Sequence, residues 1–167
     1  NVGEPPDEVA FAAGKSQVLF QYLDDDGSDT VFGVDVQTGL RAGATIEVDH
    51  VAWADISPSG HRILLGSPSG VTIFDGSSGE ALGTVSNSSQ RGGFITVADQ
   101  LFLVSTGGEL THYDLDSLEP IRTFDGSLGF IQEVNGTADG SLILTRGGEG
   151  WANLYDVASG IRIGAPI

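Results

Sequence analysis

Short runs of β-branched and aromatic residues, separated by turns rich in Gly, Ser, Asp and Pro, recur along the whole chain. Four of these runs end in an Asp that is followed by two variable residues, Ser or Thr, usually Gly, and a second apolar run. The four segments begin at Val31, Val71, Leu110 and Ala152. Because the runs are short and none extends at helical spacing, the pattern predicts an all-β chain.

The repeated Asp residues set a period near 40 residues. They are Asp35, Asp75, Asp114 and Asp156, and they stand 40, 39 and 42 residues apart. Such a period, with several strands in each unit, is typical of β-propeller blades. We therefore predict four repeats, each a four-stranded antiparallel sheet with strands a to d. An N-terminal tail over 1–8 would precede a propeller domain or partial propeller over 9–167, with blades at 9–46, 47–85, 86–124 and 125–167.

In the first repeat, the pattern places strand a at Val9 to Ala12, b at Gln17 to Leu23, c at Thr30 to Val36 and d at Leu40 to Ile46. Each repeated Asp is expected to hold the turn between c and d. Its carboxylate can accept hydrogen bonds from backbone N–H groups two or three residues on, and a Gly at the fourth position adopts a left-handed conformation cheaply. The third repeat has Leu118 at the Gly position, which predicts a turn of different shape.

The chain is strongly acidic, with 23 acidic and 7 basic residues and a formal net charge of −16 spread over all four repeats. Such a surface repels phosphate backbones, which argues against nucleic acid as a direct partner. No apolar run is long enough to span a bilayer, and without Cys the chain has no disulfides. Because it begins at Asn1 and has no Met, we expect a processed or excised piece. Composition leaves the compartment open.

The segment from Asp55 to Val85, DISPSGHRILLGSPSGVTIFDGSSGEALGTV, resembles the WD-repeat β-propeller family and its bacterial relatives. The segment from Val18, VLFQYLDDDGSDTVFGVDVQTG, is similar to repeats of periplasmic propellers. The Trp that this family places before the repeat Asp is replaced by Val34, Phe74, Tyr113 and Tyr155. These departures favour a degenerate bacterial propeller. They also imply that the family's buried Asp, His, Ser and Trp network is absent, or assembled at most once around His50.

Four blades leave the question of closure open. An unclosed arc would expose two apolar blade faces to water. Three arrangements would avoid this: a larger propeller of which these blades are part, a homodimer with eight blades, or a closed ring of four.

In a propeller, the b-to-c and d-to-a loops share one face, and binding usually occurs there. The predicted strands place on or near it an acidic rim with two arginines and an exposed indole, which would suit a basic peptide or protein. The candidate partner-binding residues are Asp24, Asp25, Asp26, Asp29, Glu47, Asp49, His50, Arg91, Arg146, Glu149 and Trp151. The alternative is a set of ordinary solvated loops.

The loop DDDGSD, from Asp24 to Asp29, also raises the hypothesis of a calcium site, because clustered carboxylates on a turn suit a hard cation. It lacks the D-x-D-x-D-G spacing and a bidentate Glu, so a solvated turn is the simpler interpretation. The histidines His50, His61 and His112 are scattered, which predicts no transition-metal site. His112 is assigned to a c strand.

Signatures of catalysis are missing from the sequence: there is no nucleophile elbow, no Cys, and no Gly-rich loop that joins a strand to a helix. We predict a non-catalytic β-propeller scaffold that uses no cofactor and binds a protein or peptide through its loop face. The alternative is an extracytoplasmic propeller that binds a small ligand or metal, such as a hydrolase or lactonase. A stoichiometric cation in the purified protein would favour that alternative.

Overall fold

Each of the four repeats contains one four-stranded antiparallel sheet, in which neighbouring strands are consecutive in the chain. The computed structural model describes residues 8–11, 17–23, 27–57, 59–86, 95–97, 100–105, 108–124, 131–137, 139–148 and 150–166. These residues include no helix, so the all-β prediction is confirmed for them. The chain divides into two compact units, Asn1–Val85 and Ser86–Ile167, at the predicted boundary between the second and third repeats.

The first unit holds two sheets. Sheet 1 consists of β1 (Glu8–Phe11), β2 (Gln17–Leu23), β3 (Ser28–Asp35) and β4 (Arg41–Asp49). Sheet 2 consists of β5 (Trp53–Ile56), β6 (Arg62–Ser67), β7 (Gly70–Asp75) and β8 (Ala81–Val85). Strand β5 lies beside β1 and β2, so the first strand of sheet 2 adjoins the first two strands of sheet 1.

The second unit repeats this organisation. Sheet 3 consists of β9 (Ile95–Val97), β10 (Gln100–Val104), β11 (Leu110–Tyr113) and β12 (Pro120–Phe124). Sheet 4 consists of β13 (Ile131–Gly136), β14 (Leu142–Gly147), β15 (Ala152–Asp156) and β16 (Arg162–Ile163). Strand β13 lies beside β9.

The predicted strands of the first repeat agree with the structure to within three residues at every end. Strand β2 spans the predicted residues Gln17–Leu23. Strand β3 begins at Ser28, so the prediction that Asp29 belongs to the preceding loop is wrong. Strand β4 continues to Asp49 rather than ending at Ile46, because Ser28 and Asp29 pair with its last two residues. The sheet therefore reaches further towards the loop face than the hydrophobic pattern indicated.

Each unit has its own apolar core between its two sheets. In the first unit, Leu19 and Val31 of sheet 1 are buried in one cluster with Ile63 and Leu65 of sheet 2. In the second unit, the cluster combines aromatic and aliphatic side chains from sheets 3 and 4. Its members are Phe102, Val104, Leu110, Phe124, Ile131, Val134, Ile143, Tyr155 and Val157. Removal of these apolar groups from water stabilises each pair of sheets.

The turn between the third and fourth strands has the same hydrogen bonds in all four sheets. The backbone N–H three residues after each repeat Asp donates to its Oδ1, at 2.9 Å for Thr38, 2.9 Å for Ser78, 2.7 Å for Ser117 and 2.8 Å for Ser159. The hydroxyl of the same residue donates to this oxygen as well. The predicted role of the Asp residues as turn residues is therefore confirmed.

Leu118 does not change the shape of the third turn, so that prediction is wrong. Its backbone N–H donates to the Asp114 carbonyl at 2.9 Å, as that of Gly79 donates to Asp75 at 2.8 Å. Leu118 reaches this geometry with φ of 58°, close to the 74° of Gly79. The hydrogen bonds of the turn thus hold a leucine in the left-handed region, which a residue with a Cβ adopts only at a cost.

We predict that Leu118→Gly raises the free energy of unfolding by about 0.5–1 kcal/mol. Relief of the left-handed strain, about 1–2 kcal/mol, exceeds the added chain entropy of glycine in the unfolded state. Urea denaturation measures the difference. Gly79→Ala is the matched control and should destabilise, because its φ is also positive and a Cβ would lie 2.7 Å from that of Ala44. Destabilisation by both variants would contradict this account.

A second acidic turn, between β13 and β14, is held by Asp139. Its Oδ1 accepts hydrogen bonds from the Thr137 hydroxyl at 2.6 Å, the Ser141 hydroxyl at 2.8 Å and the Ser141 N–H at 3.1 Å. These donors, that of Thr137 above all, lower the pKa of the exposed Asp139 carboxyl to about 2. The charged form of this side chain is therefore bound more strongly in the folded chain than in the unfolded one.

Because the folded-state pKa is depressed, Asp139 contributes stability that is present above about pH 4 and is lost as the pH falls towards about 2. We predict that Asp139→Asn makes the denaturation midpoint less dependent on pH across this range. Thr137→Val removes the principal donor and should have the same effect. Urea titrations at several pH values give the slopes, and an unchanged slope in both variants would refute the assignment.

Candidate functional site

A cleft of about 590 Å³ opens in the first unit where the end of β4 and the following connection face the hairpin between β6 and β7. We call it the strand-end cleft. Its polar lining is formed by Ser28, Glu47, Asp49, His50, Ser67, Ser69 and Thr72. Its apolar lining is formed chiefly by Val48, Val51, Leu65 and Phe74. A cleft of this volume lies within the usual range for ligand sites, about 300–1,000 Å³.

The acidic side of the cleft comes from the register of β4. Ile46 is buried in the core, so Glu47 and Asp49, one and three residues further on, point away from it and are exposed. Val48, between them, packs against the core. The sequence thus sets two carboxylates on the solvent side of the strand beside an apolar surface.

The opposite side of the cleft is a hairpin built from serines. The Ser67 and Ser69 hydroxyl oxygens lie 2.7 Å apart, and Ser67 Oγ is 3.2 Å from the Gly70 carbonyl oxygen. The Ser69 N–H donates to Ser67 Oγ at 3.3 Å. This internal bonding fixes the hairpin while its hydroxyls stay beside the cleft.

A buried carboxylate holds the connection between the two sheets. Asp29 is 2 % exposed, and its Oδ2 accepts a hydrogen bond of 2.6 Å from the Val51 N–H. Gln21 Nε2 donates to Asp29 Oδ1 at 2.9 Å and to the Val51 carbonyl at 3.1 Å. Ala52 N–H donates to the Gly66 carbonyl of sheet 2 at 2.8 Å. The connection that lines the cleft is therefore bonded to both sheets.

This network corrects one prediction. Asp29 was expected at the exposed binding face, but it is buried and its carboxylate accepts hydrogen bonds from within the protein. The sequence allowed the family's buried network at most once, around His50, and in the structure His50 is exposed with a left-handed backbone at φ 51°. The neighbouring Val51 takes part instead, because its backbone supplies both a donor and an acceptor.

The structure brings part of the predicted site together. Glu47, Asp49 and His50 all line the strand-end cleft. Asp24, Asp25, Asp26, Arg91 and Glu149 lie outside the described residues, so their predicted role and the calcium hypothesis stay predictions. Among the described residues, no three His, Asp or Glu side chains are grouped closely enough to hold a metal ion.

Arg146 and Trp151 belong to the second unit. Arg146 Nε lies 2.8 Å from Glu133 Oε2, so this exposed guanidinium forms an ion pair. Trp151 is half-buried, packs against the core, and covers Gly147, where a Cβ would overlap the indole. The expectation of an exposed indole is wrong, because the glycine leaves a recess on the sheet that the ring fills.

His112 lies in β11, as predicted, and is buried beside Phe102, with 4.5 Å between the ring centroids. Burial lowers the pKa of its imidazole, and the nearby Arg122 adds to this effect. The neutral ring therefore packs as a residue of the sheet.

Sequence reasoning missed the serine hairpin, although a signal was present. The residues Ser67 to Gly70 join the second and third strands of their repeat, as the DDDGSD loop does in the first repeat. Loops in equivalent positions of a repeat lie at the same end of their sheets. The predicted binding residues were charged or aromatic, and the uncharged serines of this hairpin were therefore not among them.

We predict that Asp29→Ala lowers the free energy of unfolding by about 3 kcal/mol, since it leaves the Val51 N–H and Gln21 without their charged acceptor. Asp29→Asn keeps one acceptor oxygen and should cost about half as much. Hydrogen exchange at the Val51 amide should accelerate in both variants. The exposed Asp49→Ala is the control, with an expected change within about 0.5 kcal/mol. Equal stability of Asp29→Ala and Asp49→Ala would refute this role of Asp29.

The described residues include no helix with the length and apolar character that a bilayer crossing requires.

No family model matches the chain, and no curated protein matches it. By contrast, 1005 chains of solved structures match, which indicates a widely shared fold. One of them is hydrazine synthase of Kuenenia stuttgartiensis, with 16% sequence identity and a TM-score of 0.67. The match covers 97% of this chain and 49% of that chain, so this chain spans about half its length. At this identity the similarity shows the fold alone, and a shared fold does not transmit an activity.

Proposed function

We propose that the four sheets are blades of a degenerate, bacterial, WD-repeat-like β-propeller that serves as a non-catalytic scaffold. In this proposal, the strand-end cleft binds a basic segment of a partner protein. The proposal of blades rests on the period near 40 residues and on four antiparallel sheets of consecutive strands. The proposal of binding rests on the cleft and its charge.

The observation that carries the binding proposal is the combination of an apolar floor with an acidic edge. Val48 is half-buried and lines the cleft together with the buried Leu65 and Phe74, and the exposed Glu47 and Asp49 stand beside these groups. A lysine or arginine side chain has the matching form, since its aliphatic stem can lie on apolar groups while its cation reaches a carboxylate. The serine hydroxyls add acceptors for a guanidinium or for peptide N–H groups.

The overall charge supports the same class of partner. A chain with net charge −16 attracts a basic segment over a distance and orients it during encounter. The fixed connection at Val51 adds pre-organisation, since a cleft wall bonded to both sheets does not have to be ordered on binding. Binding to such a site involves no bond-breaking step.

We predict that a fluorescein-labelled peptide of alternating Arg and Ala binds the protein, and that Glu47→Gln with Asp49→Asn weakens the affinity about five- to ten-fold. Two partly exposed ionic contacts together contribute about 1–1.4 kcal/mol. Fluorescence anisotropy measures the affinity. The same peptide with citrulline in place of Arg tests the charge of the ligand, and binding should weaken as salt is added.

Glu80→Gln with Glu119→Gln is the matched control, because it removes the same charge from exposed turns outside the cleft. An equal loss in this control would show that net charge alone attracts the peptide, and unchanged binding in the cleft variant would exclude the cleft. Metal analysis of the purified protein addresses the competing class. A stoichiometric cation would favour a propeller that binds a metal or small ligand over a peptide-binding scaffold.

A further inference from the structure

Leu144 is exposed at a position that is buried in the other three sheets. The register defines this position as the residue of the second strand that pairs with the residue two before the repeat Asp. Leu19, Leu64 and Phe102 occupy it in sheets 1 to 3 and are at most 1 % exposed, whereas Leu144 in sheet 4 is 41 % exposed. The residue at this position is apolar in all four sheets. The difference in its exposure therefore comes from what packs against each sheet.

Leu144 belongs to an apolar row across sheet 4. It pairs with Leu154 of β15, which in turn pairs with Ile163 of β16. Ile163 is 46 % exposed. Strand partners in register project to the same side of a sheet, so these three side chains form one surface, which we call the end face of sheet 4. The ion pair of Arg146 with Glu133 lies at the same side.

The cores show what covers this position elsewhere. In the first unit, Leu19 is buried in one cluster with Ala54, Ile63 and Leu65 of sheet 2. In the second unit, Phe102 is buried in one cluster with Ile143 of sheet 4. In both units, the covering group is the apolar surface of the other sheet of the same unit. The end face of sheet 4 therefore has the form that a further sheet of this kind would cover.

The chain carries a partly exposed surface of the complementary kind on sheet 1. Phe20, Tyr22 and Phe32 are only half-buried, although they form a stack with 6.0 Å and 5.7 Å between the Phe32 centroid and its two neighbours. The Arg41 guanidinium carbon lies 3.9 Å from the Phe32 centroid. We call this surface the aromatic face of sheet 1.

Phe20, like Leu144, is more exposed than the residues at the equivalent position of the other three sheets. It pairs with the residue three before the repeat Asp, and its equivalents Leu65, Leu103 and Thr145 are at most 4 % exposed. Leu65 and Leu19 share one core cluster, and they hold the positions equivalent to Phe20 and Leu144. The contact that joins sheets 1 and 2 can thus be repeated between the end face of sheet 4 and the aromatic face of sheet 1.

We infer that the end face of sheet 4 docks onto the aromatic face of sheet 1 of a second copy of this chain. Leu144 and Ile163 would pack against Phe20 and Phe32, in the manner of Leu19 against Leu65. A second copy is the partner that fits because one chain carries both faces, and Leu19 and Leu65 already form the equivalent contact within it. This self-association is independent of the proposed peptide binding and uses different residues.

The two processes also respond to salt in opposite directions. Each copy carries a net charge of −16, so repulsion opposes association, and it is screened as the Debye length falls from about 10 Å at 0.1 M to about 3 Å at 1 M salt. Apolar contacts are not weakened by this screening. Self-association is therefore expected to strengthen with salt, whereas binding of a basic peptide weakens, so the failure of one can be told from the failure of the other.

Sedimentation and light scattering over a series of protein concentrations test the docking. We expect the mass to rise above that of one chain, 17.3 kDa, to at least twice that value. Leu144→Glu should weaken association at least ten-fold and leave the circular dichroism spectrum unchanged. Leu82→Glu is the matched control, because Leu82 is 45 % exposed on β8, outside both faces, and this variant should associate normally.

Cross-linking tests which faces meet, and the absence of Cys from the chain makes introduced thiols unambiguous. With copper phenanthroline as the oxidant, Phe20→Cys combined with Leu144→Cys should give disulfide-linked copies. Leu144→Cys alone should react no more than Leu82→Cys alone.

Three results would overturn the inference. A monomer at every concentration and salt would leave the faces to further sheets of a longer polypeptide. A disulfide within one chain would mean that its own two faces meet. Equal cross-linking by Leu144→Cys alone would mean that two end faces pack against each other.

Discussion

The carboxylate at the end of the third strand of each sheet is the constraint on which the rest of the structure depends. Asp35, Asp75, Asp114 and Asp156 each draw the following turn around one oxygen. The turn fixes where the fourth strand begins, and register decides which side of the sheet each residue faces. Because the same turn occurs four times, the four sheets have residues at equivalent positions. Leu144 is exposed at a position where its three equivalents are buried.

A second carboxylate performs a different task, since it joins two sheets rather than two strands. Asp29 binds the backbone of Val51 and so fixes the connection that forms one wall of the strand-end cleft. A buried carboxylate is tolerated there because it accepts hydrogen bonds from neighbouring donors. The residues that would meet a ligand, Glu47 and Asp49, are exposed, and the residue that positions their surroundings is not. Binding and positioning are thus divided between neighbouring acidic side chains.

The sheets share a backbone pattern but present different faces. At the position where sheet 1 has Phe20 opposite Phe32, sheet 4 has Thr145 opposite Asn153, both buried. The Thr145 hydroxyl and the Asn153 amide have no hydrogen-bond partner among the described residues, and nothing in the structure explains this polar pair. Side chains on the faces of the sheets, rather than the turns, therefore distinguish one repeat from the next. The aromatic face of sheet 1 is built from such variable positions.

The sequence by itself determined the features that depend on neighbours along the chain. The period, the four turns and strands such as Gln17–Leu23 follow from local hydrogen bonds and alternation, and the acidic edge at Glu47 and Asp49 follows from alternation along β4. Only the tertiary structure decided the features that depend on what lies across a sheet. Asp29 is buried because Val51 meets it, and Trp151 is half-buried because Gly147 leaves room. In each of these cases the cause is a contact that the fold creates, and the pattern of residue types along the chain does not contain that contact.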